Sequence, residues 1–509
     1  MSTTTTRTTA TDVLRNVLFW AATVVVVGHA WARDKPVELK INWNKIVGTA
    51  KTTPTLQVVV NPMLRRGSPI HDAAFHSLKD LGADYVRYVP WLPYPKLGVA
   101  ELEPPSDGKT SWDFSLIDPM TTDFMEAQRG HSVVLNFSTV PQWMWKSDKW
   151  DYPADPNEVT WAYEKGTELR DPTFKEPAEY FARILSWYTK GGFTDEFGKW
   201  HESGHHYSVP YWEVLNEIDY EHSLTPELYT KIYDAVVTEM RKVSPETKFV
   251  GLGIASTWLR PSFFEYFLNP ANHAPGVPLD YISYHFYAFP EIDQTPEVQQ
   301  FVFFAQADGF LNAVRYIESI RKRLSPGTGT MVNEMGAASA YDMGQAQPGT
   351  PLPPIPESYW NLAGATYAYV FGEFVRMGID VAGESQLVAY PTQFPSVAMV
   401  NWNTGTPNPR LRILQLLHDN FGPGDRVVDR EGEESPFVYS LPVITKNDKK
   451  RVLLVNKRDR PFQVTIPGAR GGQQAYVDQI TGYGPVASAS LDSDSLTLNG
   501  YSVTAVTLP

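Results

Sequence analysis

The sequence holds no cysteine in 509 residues. Disulfide stapling, thiolate metal ligation and a cysteine nucleophile are therefore excluded, and the fold has to rest on its apolar core. A surplus of positive charge is missing as well: 44 Lys and Arg stand against 57 Asp and Glu, a formal charge of −13. So acidic a chain is a poor match for nucleic acid or anionic lipid, and neither is expected as a partner. The apolar stretch 17–27 is shorter than the ~20 residues that a membrane span needs. No grouping of His, Asp and Glu has the spacing of a zinc site; His201, His205 and His206 fall in a polar loop and are expected to be solvated. No metal or cofactor is expected. Internal repeats are absent, and low complexity is confined to the Thr-rich start.

Aromatics are plentiful at 13%, with 15 Trp and 26 Tyr. Most are expected in the core. The N-terminal stretch has a basic start, an apolar run and the small residues Ala30 and Ala32 around Trp31, the pattern of a signal peptide over 1–32 cleaved after Ala32. This predicts a secreted protein beginning near Arg33, without stable membrane insertion; an uncleaved signal anchor is the competing reading.

Beyond that point apolar runs alternate with helical periodicity. Strands are predicted over 56–60, 85–90, 132–138, 209–217, 248–256, 281–289, 329–336 and 379–387. Helices are predicted between them over 70–81, 115–129, 177–190, 225–243, 261–268, 301–324 and 357–377, with a last one over 408–420. A further strand or hairpin is predicted over 395–402. Eight strands alternating with helices indicate an α/β fold, a (β/α)8 barrel over 55–424. After Gly422-Pro423-Gly424 only short strands with turns follow, which predicts an antiparallel β-sandwich over 425–509. The alternating segment 37–43, within the N-terminal stretch 33–54, is expected to pair into that sandwich.

Two of the predicted strands end alike. Strand four closes on Asn216-Glu217 and strand seven on Asn333-Glu334. The C-terminal ends of barrel strands are where this architecture places its chemistry. Two glutamates meeting there have the makings of glycoside hydrolysis, in which one carboxyl donates a proton and another attacks the anomeric carbon. Strand parity points Arg87 into the barrel mouth, where a buried cation must meet a carboxylate. His285 and Tyr287 share one face of strand six, and Tyr287 is placed to orient a nucleophile. Asn216 is placed to bond the sugar hydroxyl beside the reacting carbon. Trp402 is a candidate to close the sugar subsite, and Trp91, Trp143 and Trp145 to line the leaving-group side. Glu213 shares the parity of Glu217 and reads as a buried ion-pair partner. Asp219, Glu221 and His222 either meet substrate or cap their loop. Asn136-Phe137-Ser138 spells a glycosylation sequon on a predicted barrel strand, where no glycan is expected.

The segment Trp212-Glu213-Val214-Leu215-Asn216-Glu217, together with Val332-Asn333-Glu334, Arg87 and the His285/Tyr287 pair, resembles the clan A retaining (β/α)8 glycosidases. The barrel with its C-terminal sandwich is most similar to glycoside hydrolase family 39, of β-xylosidases and α-L-iduronidases, and family 51 arabinofuranosidases share the layout. Leu215 and Ile218 depart from the family 39 pattern, which has a large residue and a proline there. The resemblance implies that Glu217 is the acid/base, that Glu334 is the nucleophile, and that the substrate is a glycoside, oligosaccharide or polysaccharide. A barrel that binds carbohydrate without turning it over is the alternative from another class.

Overall fold

The computed structural model describes residues 36–146, 152–161, 163, 166–255, 257, 260–343, 353–391, 393–432 and 434–509. The expected signal segment 1–32 and Trp150, one of the loop tryptophans, lie outside the described residues. Among the described residues, no helix is long and apolar enough to cross a membrane.

Eight parallel strands close into a barrel in chain order: Thr53–Val59, Val86–Val89, Val133–Leu135, Tyr211–Glu213, Lys248–Ile254, Tyr281–Ala288, Gly329–Ala337 and Val381–Glu384. The last pairs with the first through Val381 and Thr53, so the barrel has no free edge. Its first strand starts at Thr53, inside the stretch assigned from sequence to the N-terminal segment. Thr53–Val59 and Gly329–Ala337 are longer than the runs that announced them; the other strands are shorter, most of them because the run continues into the loop at the mouth. Strand four is the extreme case: its ladder stops at Glu213, so Asn216 and Glu217 stand beyond it.

The surrounding helices follow local chemistry. Gly82 ends His71–Leu81 in the left-handed region at φ 59°, where a Cβ is disfavoured. Thr225 caps Pro226–Val243 by accepting the Leu228 N–H. The helix expected over 301–324 begins five residues earlier, as Pro296–Leu324, because Thr295-Pro296-Glu297 repeats the Thr-Pro-Glu start seen at 225. The strand or hairpin expected over 395–402 is instead a 3-10 turn, Pro395–Val397, where Pro395 supplies no N–H to a ladder. A short hairpin, Gly192–Thr194 with Trp200–Glu202, had no counterpart in the sequence reading.

The C-terminal domain is an antiparallel β-sandwich. A seven-stranded sheet packs on a three-stranded one, and the chain that precedes the barrel contributes to both. Lys40–Thr49 pairs antiparallel with Arg426–Glu431, and Val37–Glu38 pairs with Phe462–Thr465. The central strands of the larger sheet are buried on both faces. Val438, Val452, Leu454 and Val506 face the sandwich interior, while Tyr439, Leu441, Leu453 and Val455 join the barrel's helical layer in one apolar core. The period-two alternation thus binds the two domains together.

Candidate active site

The barrel interior is built in layers from the pleat of its strands. At the bottom Tyr85, Tyr211 and Tyr281 close the N-terminal end, with ring centroids 5.2 and 5.7 Å apart along the row. Val134, Val250, Met331 and Val381 fill the space beside them. Two residues further along each strand, on the same face, come Arg87, Glu213 and Ser283.

Arg87 is fully buried and organises this layer. Its Nε donates to Glu213 Oε2 (2.5 Å), and Nη1 donates to Gln57 Oε1 (2.6 Å) and Glu334 Oε2 (2.7 Å). Its Nη2 donates to Asn216 Oδ1 (2.6 Å). Glu213 also accepts from Asn136 Nδ2 (2.5 Å), Asn333 Nδ2 (3.0 Å) and the Ser283 hydroxyl. Burial alone would raise the pKa of Glu213. The charges of Arg87 and then His285, with the Ser283 and Asn333 hydrogen bonds, outweigh it and hold the carboxyl below the usual range.

Strand seven carries an irregularity that the chemistry depends on. Ser283 pairs with Met331 and His285 with Glu334, so three steps on strand seven oppose two on strand six. The same extra residue appears against strand eight, between Val332 and Met335. This bulge lets adjacent residues both turn inward, Asn333 to Glu213 and Glu334 to Arg87. Strand eight accommodates it with Gly383: a Cβ there would lie 2.8 Å from Asn333 Cα and 2.7 Å from its carbonyl oxygen. Gly383→Ala is therefore expected to cost about 1–3 kcal/mol of stability, read as a lower urea midpoint. An unchanged midpoint would show that the bulge is free to move.

Past strand four the chain turns through two left-handed residues, Leu215 (φ 64°) and Glu217 (φ 41°), a strained arrangement for side chains of this size. It is held by Asn136 Nδ2 donating to the Leu215 carbonyl (3.1 Å) and by the N–H groups of Tyr220 and Glu221 donating to that of Glu217 (2.8 and 2.7 Å). The turn swings Glu217 over the mouth.

There Glu217, Glu334 and His285 meet. One carboxylate oxygen from each glutamate and a ring nitrogen of His285 all lie within 4.8 Å of one another. His285 Nδ1 is 3.0 Å from Glu217 Oε1 and 3.6 Å from Glu334 Oε2. The Tyr287 hydroxyl donates to Glu334 Oε1 (3.0 Å). The two glutamates therefore live in different fields. Glu334 accepts from a buried guanidinium and a phenol. The Glu217 carboxyl is pushed up by burial and by the charge of Glu334, against the His285 hydrogen bond. Burial lowers the pKa of His285, but the charge of Glu334 and the bond to Glu217 raise it above the ordinary value. Burial, and then the charge of Glu334, keep the Tyr287 hydroxyl protonated.

Glu217, His285 and Glu334 would each offer one donor to a cation. Both oxygens of Glu334 are already engaged, by Arg87 and Tyr287, and the Arg87 charge lies against them. The trio is arranged to handle protons.

Above it opens a cavity of about 850 Å³, lined among others by Asn216, Glu217, Glu334, Gln386, Trp91 and Phe394. Two of the aromatics expected here are elsewhere. Trp143 is buried in the core, its indole N–H donating to the Glu101 carbonyl (2.9 Å) and its ring under Arg170. Trp402 packs beside Val397, Ala398 and Tyr287 and does not line the cavity. In both cases tertiary packing took a large apolar ring that loop position had suggested for substrate. Trp145 is likewise buried, stacked on His222 at 4.6 Å. Trp91 does line the cavity, and Trp161 and Phe394 join it. His201 and His205 are not free in solvent but paired with Asp195 (2.7 Å) and Asp118 (2.9 Å). Asp219 caps its loop through the Ala255 N–H (2.9 Å). Asn136 is buried against Glu213, in no position to carry a glycan.

Sequence reasoning missed Gln57, Asn333 and Gln386, and it put Ser283 on the face of His285 and Tyr287 without giving it a role. Gln57 and Ser283 carried a signal, each a polar residue inside an apolar strand run. Asn333 had none, since alternation puts it on the opposite face from Glu334 unless a bulge is known.

No family model matches the chain, and no curated protein matches its sequence. Solved structures do match its fold. The glycoside hydrolase family 51 arabinofuranosidase from Xanthomonas axonopodis pv. citri is 12% identical, with a TM-score of 0.63 over 93% of this chain and 100% of that one. A glucosidase from Croceicoccus marinus is 15% identical, with a TM-score of 0.59 over 93% and 99%. A family 30 endoxylanase from Clostridium papyrosolvens is 15% identical, with a TM-score of 0.55 over the same shares. All three are named as glycosidases, and at such identities the likeness establishes the shared barrel-and-sandwich architecture.

Proposed function

We propose that this chain is a retaining glycoside hydrolase, secreted, with Glu334 as nucleophile and Glu217 as acid/base. The observation that carries the reading is that one carboxylate oxygen of Glu217 and one of Glu334 lie within 4.8 Å of each other. Retaining enzymes hold this pair at roughly 5–5.5 Å, while inverting enzymes leave about 6.5–9.5 Å for a water. Glu334, held by the Arg87 guanidinium and the Tyr287 hydroxyl, is the carboxyl placed to attack the anomeric carbon. Glu217, with its raised pKa, holds a proton for the leaving oxygen and takes one back from the water that releases the sugar. Tyr287 and Arg87 each hold one oxygen of Glu334 and so fix the orientation of its carboxyl group. Asn216, locked between Arg87 and Glu221, presents its amide to the sugar hydroxyl next to the reacting carbon.

The family 39 resemblance adds a finer proposal, a β-xylosidase-like specificity. Intact glutamates in contrasting fields speak against a barrel that only binds carbohydrate. The test is the configuration of the first product released from aryl glycosides, followed by NMR. Retention supports the reading and inversion ends it. Trapping with a 2-fluoro sugar and mass spectrometry should place the label on Glu334.

A pH dependence follows. For a poor leaving group, kcat/KM is expected to fall on the alkaline side as Glu217 loses its proton, at a pH above the usual carboxylate range. In Glu217→Ala, assayed with the same poor leaving group, that limb should vanish from the residual activity. Its persistence would transfer the acid role to His285.

A further inference from the structure

We infer that Ser385 and Arg410 are positioning residues for the nucleophile: Ser385 joins the groups that hold the two oxygens of Glu334, and Arg410 fixes Ser385 from outside the barrel. The inference rests on the hydrolase reading above, since it adds supports to the same carboxyl.

The order of donors and acceptors is forced from one end, because a guanidinium can only donate. Arg87 Nη1 donates both to Glu334 Oε2 (2.7 Å) and to Gln57 Oε1 (2.6 Å), so the Gln57 amide must turn its NH2 the other way. There Nε2 donates to the Ser385 hydroxyl oxygen (2.7 Å). The Ser385 proton is left for the Tyr287 oxygen, with which that hydroxyl interacts. The Tyr287 proton then goes to Glu334 Oε1 (3.0 Å). Both oxygens of the carboxyl are thus held by groups that meet at one buried hydroxyl, and each link sets the direction of the next.

Ser385 is itself held by its backbone. It directly follows strand eight, and its N–H donates to the Met335 carbonyl (2.8 Å). Its own carbonyl accepts from Arg410 Nη2 (2.5 Å). Arg410 Nη1 donates to the Ser396 carbonyl (3.3 Å), within the turn Pro395–Val397. One buried guanidinium therefore ties together two segments that border the cavity.

Arg410 is not there for the sake of its helix. It lies in the first turn of Pro409–Asn420, an end where the helix dipole disfavours a cation. Its Nε donates to Glu384 Oε1 (2.8 Å), with both side chains fully buried. Burial pushes the Glu384 carboxyl up to about 7 against the pull of Arg410, so the pair adds little to stability and serves to fix geometry. Strand seven leaves room for it: a Cβ on Gly336, two residues past Glu334, would lie 2.7 Å from Arg410 Nη2.

The test times the attack itself. Dinitrophenyl 2-fluoro xyloside, glucoside and arabinofuranoside are offered to the unaltered enzyme, and the fastest to label it is used over a range of concentrations. Ser385→Ala should lower the maximal rate of labelling on Glu334 about tenfold to a hundredfold and leave the half-saturating concentration unchanged. Arg410→Lys keeps a charge beside Glu384 but cannot reach both carbonyls, and should slow labelling likewise. Combined, the two should be no slower than Ser385→Ala alone, because one acts through the other. Ser385→Ala removes a single oxygen and should fold, as a thermal melt will verify. If Arg410→Lys does not fold, Gly336→Ala crowds the same nitrogen and is expected to give the same slowing. An unchanged labelling rate in Ser385→Ala, or a smaller labelled fraction at the unaltered rate, would overturn the assignment while leaving the hydrolase reading intact. Losses that multiply in the double variant would remove Arg410 from it. No turnover of any glycoside and no label on Glu334 of the unaltered enzyme would remove both readings.

Discussion

Glu334→Ala should lower kcat on an aryl glycoside by about 10⁵-fold, because a nucleophile acting as one unit with its partners cannot be partly replaced. Azide should restore turnover and reveal the role. With the carboxylate gone, azide enters beneath the ring and displaces the aglycone once, giving a glycosyl azide of inverted configuration. In Glu217→Ala, assayed with an activated leaving group, the glycosyl-enzyme still forms and azide displaces Glu334 from it, giving the retained azide. The two variants thus give opposite stereochemistry. Exchanged outcomes would swap the assignments, and full activity in either variant would end the two-glutamate mechanism for this chain.

Arg87→Met should produce the largest loss of stability from a single side chain. It leaves Glu213 buried with no countercharge, and breaking a buried pair in this way costs about 3–5 kcal/mol. Glu213 has a depressed pKa in the folded state, so its contribution is present above the ordinary carboxylate range and is lost as pH falls toward the folded value. The variant should lose that acid-side dependence, because its Glu213 becomes protonated. Arg87→Lys should not rescue, since one ammonium cannot reach Gln57, Glu213, Glu334 and Asn216 together. Adding Glu213→Gln to Arg87→Met should recover much of the stability but not the activity. Urea unfolding across pH measures all of this. A single-variant cost below about 1 kcal/mol would show that the pair is not the keystone of this layer.

The barrel was legible because its repeat is long and each unit announces itself. Thr225-Pro226-Glu227 starts a helix and Gly82 ends one for reasons local to those residues. Glu217 and Glu334 were legible because they end their runs in the same way. Arg87 was legible because a charge inside an apolar strand needs an explanation. What stayed hidden depends on contacts between distant segments. The inward turn of Asn333 requires the bulge, and the bulge requires the missing side chain of Gly383 on the next strand. Trp143 and Trp402 read as substrate aromatics by loop position, and only packing shows otherwise. The gathering of Trp91, Trp161 and Phe394 from three separate loops has no signature in any one of them.

The pairing of 40–49 with 426–431 also constrains how the molecule is made. Asn42 and Glu431 are hydrogen-bonded across 389 residues of chain. A nascent polypeptide leaving the ribosome therefore carries an unmatched edge strand until nearly all of the protein has been synthesised, and its final ordering step is a slow, long-range one. Removing the last eighty or so residues should leave not a smaller working enzyme but a chain whose two ends have nothing to close upon.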